Sequence, residues 1–256
     1  MTMPASVPTI SAKWVRLFHF IYDHVAPKVY DLLQRHMIPL KKSAANGLGL
    51  KRGDHVIAFC CGTGQEFPFI QERIGPEGKI LGVDWSGGML EQARRRIVDN
   101  GWTNVKLVKG DVTALPESVV ETASYDAGIC TLGLSIVSEP EKAFQALKNA
   151  VRAGGRILIG DVCSFSGLKS ILNPLNTLMN CPGGNTRRSL VHSRVFAEAL
   201  ASDLLDVKLK WHLGSYYIAS GRLPDAPLNR SEPTLMVRDI CTTHAVQQGI
   251  LKGVHT

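Results

Sequence analysis

The apolar and polar segments of the chain alternate in a way that predicts an α/β protein with a parallel sheet. Apolar runs of strand length alternate with segments whose apolar residues recur at helical spacing, as in repeated βαβ units. The predicted strands span residues 55–60, 79–84, 104–109, 125–131 and 156–162. The predicted helices lie near 65–74, 87–99 and 140–152, and the glycines at 154 and 155 are expected to end the last of them.

Helical periodicity also predicts two helices before this core. After a loose arm over residues 1–12, apolar positions from Trp14 to Val25 follow helical spacing until Pro27 interrupts them. A second amphipathic helix is predicted over 29–37. Neither helix belongs to the alternating core, so we expect both to pack on it.

The region after the fifth strand predicts a lid and a closing hairpin. The segment from Ser164 to Ser189 is longer than an ordinary connection and has helically spaced apolar residues, which favours a lid. A helix near 193–203 and two strands, 207–213 and 216–219, follow it. The tail beyond Gly221 has loose helical periodicity and predicts an added helix.

A glycine turn at the end of the first strand is the main candidate for a ligand site. The stretch from Val56 to Glu66 reads VIAFCCGTGQE, and Asp84 ends the second strand about 20 residues later. An acid placed there is suited to accept hydrogen bonds from ribose hydroxyls. Phe67 occupies the position where a dinucleotide fingerprint has its third glycine. The pattern therefore favours a nucleoside over a pyrophosphate ligand.

Four motifs resemble those of class I S-adenosylmethionine-dependent methyltransferases. Cys61–Gly64 resembles the first motif, and Gly82–Asp84 with the following Ser86 and Gly88–Leu90 resembles the second. Lys109–Val112 resembles the third, and Val151–Arg156 resembles the turn before the fifth strand. This resemblance implies a Rossmann-like seven-stranded sheet with strand order 3-2-1-4-5-7-6, an N-terminal helical cap, a lid insertion and a C-terminal helix.

The resemblance also implies a domain plan and a set of ligand residues. Residues 1–45 are assigned to the arm and helical cap, 46–221 to the methyltransferase domain with a lid at 164–192, and 222–256 to a C-terminal extension. S-adenosylmethionine is the implied cofactor. The residues implied to bind it are Cys60, Gly62, Thr63, Gly64, Asp84, Trp85, Met89, Gly110, Asp111, Val112, Thr131 and Leu132.

The first motif departs from the family pattern at its centre. The usual acidic residue, which helps to hold the cofactor's ammonium group, falls on Ala58, and the first glycine falls on Cys60. Three hypotheses stay open. The chain is an ordinary methyltransferase acting on a small, fairly apolar acceptor at O, N or C, a cofactor-binding protein without catalysis, or an enzyme that uses the cofactor for a cyclisation or rearrangement.

Candidate acid–base residues come from the helical cap and the lid. We select His24, Tyr22, Tyr30 and His192, with His19 and Asp31 as further candidates. Apolar lid residues followed by Arg187 and Arg188 suit a small-molecule or lipid-like acceptor that carries a negative group.

Composition and charge narrow the class of protein. The net charge is +7 and the pI about 9.2, but the basic residues are dispersed, which argues against nucleic acid and leaves peripheral membrane contact open. The six cysteines have no metal-binding spacing and are expected to be buried free thiols, with no metal bound. We expect a soluble cytoplasmic monomer or homodimer.

Overall fold

The computed structural model describes residues 23–24, 26–116, 118–181 and 184–225. The helices are α1 Ala26–Leu33, α2 Ile38–Gly47, α3 Phe67–Ile74, α4 Gly87–Asp99, α5 Pro140–Ala150, α6 Asn173–Asn180 and α7 Arg187–Asp203. The strands are β1 His55–Phe59, β2 Lys79–Asp84, β3 Val105–Lys109, β4 Tyr125–Thr131, β5 Val151–Val162, β6 Leu205–His212 and β7 Tyr216–Arg222. The helices predicted from Trp14 and in the C-terminal tail lie outside the described residues, apart from the first helix's last few positions.

The strands form one seven-stranded sheet in the order β3-β2-β1-β4-β5-β7-β6. Strands β1 to β5 run parallel to one another, whereas β7 runs antiparallel to both β5 and β6. The predicted fold class and strand order are confirmed. In such a sheet the carboxyl ends of the parallel strands lie along one edge, where ligands bind.

Both faces of the sheet are covered, which explains why the central strands are continuously apolar. In β1, Ile57 and Phe59 pack in one core cluster with α5 and α7 residues, whereas Val56 and Ala58 pack in a second cluster with α2 and α3 residues. All four side chains are at most 4% exposed. Alternate residues of β1 therefore pack against the helix layers on opposite faces of the sheet, as the two-residue period of a strand requires.

The prediction that the glycines at 154 and 155 end a helix is wrong. Helix α5 ends at Ala150, and β5 starts at once at Val151, five residues before the predicted start. The pairing of β4 with β5 shifts register here, since Tyr125 pairs with Val151 and Ala127 with Arg156. Gly154 has a φ of +69°, so the glycines form an irregularity within the strand rather than a helix end.

Two helices have other boundaries than predicted, and one helix was not predicted. Helix α7 begins at Arg187 instead of 193, because Thr186 and Ser189 cap it reciprocally. The helix predicted over 29–37 is α1, which ends at Leu33 and is followed by a 3₁₀ turn. Helix α2 was not predicted, because one of its buried positions is Lys41 and the others are small alanines.

The segment predicted to form a lid contains a 3₁₀ helix, Gly167–Leu172, and α6. No helix within the described ranges is long and apolar enough to cross a membrane.

Candidate cofactor site

The glycine turn leaves β1 with its backbone in conformations that favour glycine. Gly62 and Gly64 have φ values of +52° and +70°. A Cβ added at Gly62 would meet no atom within 4 Å, whereas one at Gly64 would lie 2.6 Å from the Phe67 ring. Gly64 therefore allows α3 to pack on the turn, and Gly62 leaves open space beside the backbone, as a site that receives a ligand requires.

Asp84 connects the ends of the first two strands. Its carboxylate accepts hydrogen bonds from the backbone N–H groups of Gly62, at 2.8 Å, and Ser86, at 2.9 Å. The side chain is 3% exposed, and this burial raises its pKa although the two N–H donors oppose the shift. The predicted ribose acid thus lies directly against the glycine turn.

Asp23 lies against the second motif. Asp23 accepts hydrogen bonds from the Ser86 hydroxyl at 2.7 Å and the Gly88 backbone N–H at 2.9 Å. The Gly88 hydrogen bond is the main reason that the pKa of Asp23 is lowered. A Cβ at Gly88 would come within 1.8 Å of the Asp23 carbonyl oxygen, so only glycine fits there.

Asp31 of α1 holds the cap to the glycine turn. Its carboxylate accepts hydrogen bonds from the Thr63 hydroxyl at 2.5 Å and the Gln65 side-chain amide at 3.0 Å. It also pairs with Arg96 of α4, whose guanidinium donates to the Thr63 carbonyl. Cap, turn and α4 are therefore connected by one charged network.

The third motif follows β3 at the neighbouring position along the edge. The Gly110 N–H donates to the Asp84 carbonyl at 3.0 Å, which fixes the motif against β2. Asp111 is exposed, and its Oδ1 accepts from the N–H and hydroxyl of Thr113. Val112 is 5% exposed and packs in the core.

Cys60 is accommodated by a second change across the sheet. The residue has a φ of +51°, a conformation in which a side chain is strained. A Cβ at Gly133, just beyond β4, would lie 2.4 Å from the Cys60 Cβ. Gly133 therefore provides the space that the Cys60 side chain needs, a pairing that the separate motifs did not reveal.

A buried ion pair beside Ala58 was also missed. Lys41 of α2 donates to Glu66 Oε1 at 2.9 Å, and the two side chains are 4% and 6% exposed. The Thr131 hydroxyl donates to the same oxygen. A small cavity of about 10 Å³ lies here, lined by Ala58, Phe59, Cys60, Cys61, Glu66, Ile129 and Thr131. Two features of the sequence could have indicated this ion pair. One is a lysine among the buried positions of α2, and the other is an acid shortly after the glycine turn.

The end of β4 is fixed by another buried acid that the sequence did not single out. Asp161 accepts hydrogen bonds from the N–H and hydroxyl of Ser135, both at 2.8 Å, and from the Val162 N–H. Its side chain has no exposed surface, and burial raises its pKa from 3.8 to about 6. The wall predicted from Thr131 to Ser135 thus depends on β5.

The remaining predicted cofactor residues and the cysteines differ in their exposure and backbone conformation. Trp85 is 39% exposed beside Asp84, Met89 is fully buried under the start of α4, and Leu132 has a φ of +55°. The thiols of Cys61, Cys130 and Cys163 are buried, whereas Cys181 is exposed and Cys60 is half-buried.

The predicted acid–base residues that the structure describes have different surroundings. His24 is exposed near Asp23, and His192 of α7 lies 3.0 Å from Glu141 of α5. Tyr22 and His19 lie outside the described residues. Tyr30 is placed over the site, with its ring centroid 5.9 Å from Lys41 Nζ. Burial raises the pKa of Tyr30, so its hydroxyl is suited to donate a hydrogen bond rather than to act as a base.

Comparison with known proteins agrees with this geometry. Residues 50–214 match the family model described as a methyltransferase domain, and this span is more than half of the chain. The protein belongs to the methyltransferase domain family.

A curated relative lies within the same class. The chain is 28% identical over 146 residues to the demethylmenaquinone methyltransferase of Staphylococcus aureus, a match that covers 55% of this chain and 58% of the relative. The chain thus matches little more than half the length of that relative.

Solved structures share the fold at low sequence identity. A phosphoethanolamine N-methyltransferase from Haemonchus contortus aligns with a TM-score of 0.64 at 13% identity, covering 85% of this chain and 61% of that chain. A methyltransferase bound to the Trm112 activator from Haloferax volcanii aligns with a TM-score of 0.60 at 15% identity. The alignment covers 81% of this chain and 97% of that chain. The expected class, a class I S-adenosylmethionine-dependent methyltransferase, and its cofactor are confirmed.

The described residues fit this cofactor. The open side of Gly62, the buried Asp84 carboxylate and the exposed Asp111 carboxylate follow one another along the edge of the sheet. These groups suit the ribose and the adenine of a nucleoside. At the remaining end, the family's acid is replaced by Ala58, and the nearest carboxylate lining the cavity is that of Glu66.

Proposed function

We propose that the protein transfers the methyl group of S-adenosylmethionine to a small, fairly apolar acceptor, with a reduced quinone-type ring as the first class to test. The observation that carries the proposal is the buried Asp84 carboxylate, which accepts a hydrogen bond from the Gly62 N–H at the carboxyl edge of the sheet. The segment that follows β5 adds a set of exposed apolar side chains. The similarity to demethylmenaquinone methyltransferase supports the acceptor class.

The protein's contribution to this reaction is positioning. The cofactor supplies a methyl carbon bonded to a positively charged sulfur, so the protein need not activate the electrophile. Asp84 and the glycine turn hold the nucleoside, and Tyr30 with the helical cap excludes water. The acceptor's nucleophilic atom must be aligned behind the methyl carbon.

The lid has an exposed apolar face that suits a lipid-like acceptor. Leu168 is 97% exposed, Ile171 80% and Met179 72%. Lys169, Arg187 and Arg188 are exposed in the same region, and the chain carries a net charge of +7. We propose that this face contacts an anionic membrane surface in which the acceptor is dissolved.

Labelled methyl transfer tests the reaction. The protein is incubated with methyl-labelled S-adenosylmethionine and matched reduced naphthoquinones, phenols and amines, and we expect label in the quinol products. Cofactor binding without transfer to any acceptor would contradict methyl transfer and favour a non-methylating use of the site.

Vesicle sedimentation tests the lid. Wild-type protein is expected to co-sediment with vesicles of phosphatidylglycerol more than with neutral vesicles, and Ile171→Glu to reduce this binding. Val98→Glu is the matched control, because Val98 is 72% exposed but lies on α4. Equal binding by both variants would overturn the membrane assignment.

A further inference from the structure

The buried pair Lys41–Glu66 has a feature that its structural role alone does not explain. Buried ion pairs are costly, and an apolar pair of similar size often stabilises a protein as well or better. Here the two charges lie at the cofactor edge, 2.9 Å apart and both almost fully buried. Glu66 holds the pKa of Lys41 above its ordinary value although burial pushes it down, so Lys41 stays protonated.

The pair lies where the family's missing acid would be. Glu66 and Ala58 line the same cavity at the carboxyl end of β1, and Ala58 is 4% exposed. An alanine at this position removes the side chain that would otherwise occupy the space beside Glu66. The Glu66 carboxylate from the turn therefore lines the cavity beside the position where the strand acid is missing.

Two buried polar atoms in this region have no hydrogen-bond partner among the described residues. They are the Tyr216 hydroxyl and the Gln65 side-chain oxygen. The Tyr216 hydroxyl and the Thr131 methyl both lie near Gly160, at 2.6 and 3.6 Å from a Cβ placed there, and the Thr131 hydroxyl donates to Glu66. Buried polar groups without partners are rare and need an explanation.

We propose that Lys41 and Glu66 together bind the amino-acid end of the cofactor, a deepening of the proposed function that rests on it. That end carries an ammonium and a carboxylate, and the pair presents the complementary charges. Lysine has three N–H donors and glutamate two acceptor oxygens, so each side chain is able to bind a ligand group while the pair stays intact. Glu66 binds the ammonium and Lys41 the carboxylate, which gives four alternating charges.

Calorimetry with two ligands tests this assignment. S-adenosylhomocysteine has the amino-acid end, whereas 5′-methylthioadenosine keeps the nucleoside and lacks that end. We expect Lys41→Met and Glu66→Gln each to weaken S-adenosylhomocysteine binding about tenfold or more and to change methylthioadenosine binding by less than about twofold. Lys42→Met is the matched control, because Lys42 is the exposed neighbour, and should change neither.

A third ligand separates the two side chains. Decarboxylated S-adenosylmethionine lacks only the carboxylate, so Lys41→Met should leave its affinity unchanged whereas Glu66→Gln should still weaken it. Equal losses for all ligands, or none, would show that the pair is structural and overturn the inference. Failure of wild-type protein to bind any of these ligands would instead overturn the proposed function. If Lys41→Met does not fold, Glu66→Gln, which keeps the shape of the side chain, decides the outcome.

Discussion

The two ends of the proposed cofactor site are built in different ways. The nucleoside end uses residues in sequence motifs, with Asp84 held by the backbone of Gly62 and Ser86. The opposite end lacks the strand acid and instead brings together Lys41, Glu66 and Thr131 from three separate elements. The first end depends on local order along the chain and the second on tertiary packing.

This difference shows how a site changes its residues without changing its fold. The replacement of a glycine by Cys60 is matched by Gly133, and the loss of an acid at Ala58 is accompanied by Glu66 in the same cavity. Each pair of positions shares one small volume. We therefore expect each change to be tolerated only with its partner.

Introducing the family's acid is expected to have the largest effect. Ala58→Asp places a second carboxylate in the cavity with Glu66, where the Lys41 charge is already paired. We expect the free energy of unfolding to fall by about 3 kcal/mol in urea denaturation. Ala58→Asn controls for size, and Ala58→Asp/Glu66→Ala should recover most of the loss. Tighter cofactor binding by Ala58→Asp at an unchanged melting temperature would show that nothing replaces the acid.

Removing the ribose acid is expected to have the next largest effect. Asp84→Ala should weaken S-adenosylhomocysteine binding about 10- to 100-fold, equivalent to about 1.4–2.8 kcal/mol, because it removes both a ligand partner and the anchor of the Gly62 N–H. Asp111→Asn is the matched comparison. It should weaken S-adenosylhomocysteine binding about threefold or less, because the amide keeps the oxygen that accepts the hydrogen bond from Thr113. Unchanged affinity in Asp84→Ala would remove the ribose assignment.

The Cys60–Gly133 pairing gives a test within the sheet. Gly133→Ala should destabilise the protein by about 1–3 kcal/mol, because the new Cβ would lie 2.4 Å from that of Cys60. Cys60→Gly/Gly133→Ala should restore most of this stability in thermal unfolding. A double variant as unstable as the single one would show that the two positions are independent.

Asp161 gives the smallest predicted effect. Its pKa of about 6 in the folded protein lies above the ordinary 3.8, so the folded state binds the proton more tightly and loses stability as the pH rises from about 4 to 6. Between pH 5 and 7.5 the free energy of unfolding of the wild type should fall by roughly 1 kcal/mol relative to that of Asp161→Asn, because the asparagine side chain does not titrate. If the difference in free energy of unfolding between the two proteins stays constant across this range, the raised pKa of Asp161 is wrong.

The parallel sheet and the glycine turn beside Asp84 could be predicted from the sequence because both depend on short-range patterns. Strand-length apolar runs and glycine turns are local, and Asp84 follows its turn at a fixed distance. The ion pair depends on contacts between distant parts of the chain. Lys41 lies 25 residues before Glu66, on a helix whose apolar pattern it interrupts, and no local rule relates the two.

Similar reasons explain the other misses. The glycine pair at 154 and 155 resembles a helix end in sequence, but the register shift between β4 and β5 places it inside a strand. Asp161 follows an apolar run, and only the path of the loop after β4 brings Ser135 to it.

A crystal structure with bound S-adenosylhomocysteine tests the central claim most directly. The account predicts the ribose hydroxyls on Asp84, the ligand's ammonium on Glu66 and its carboxylate on Lys41, each within hydrogen-bond distance. A ligand whose amino-acid end points away from both side chains, with the Lys41–Glu66 pair unchanged, would contradict it.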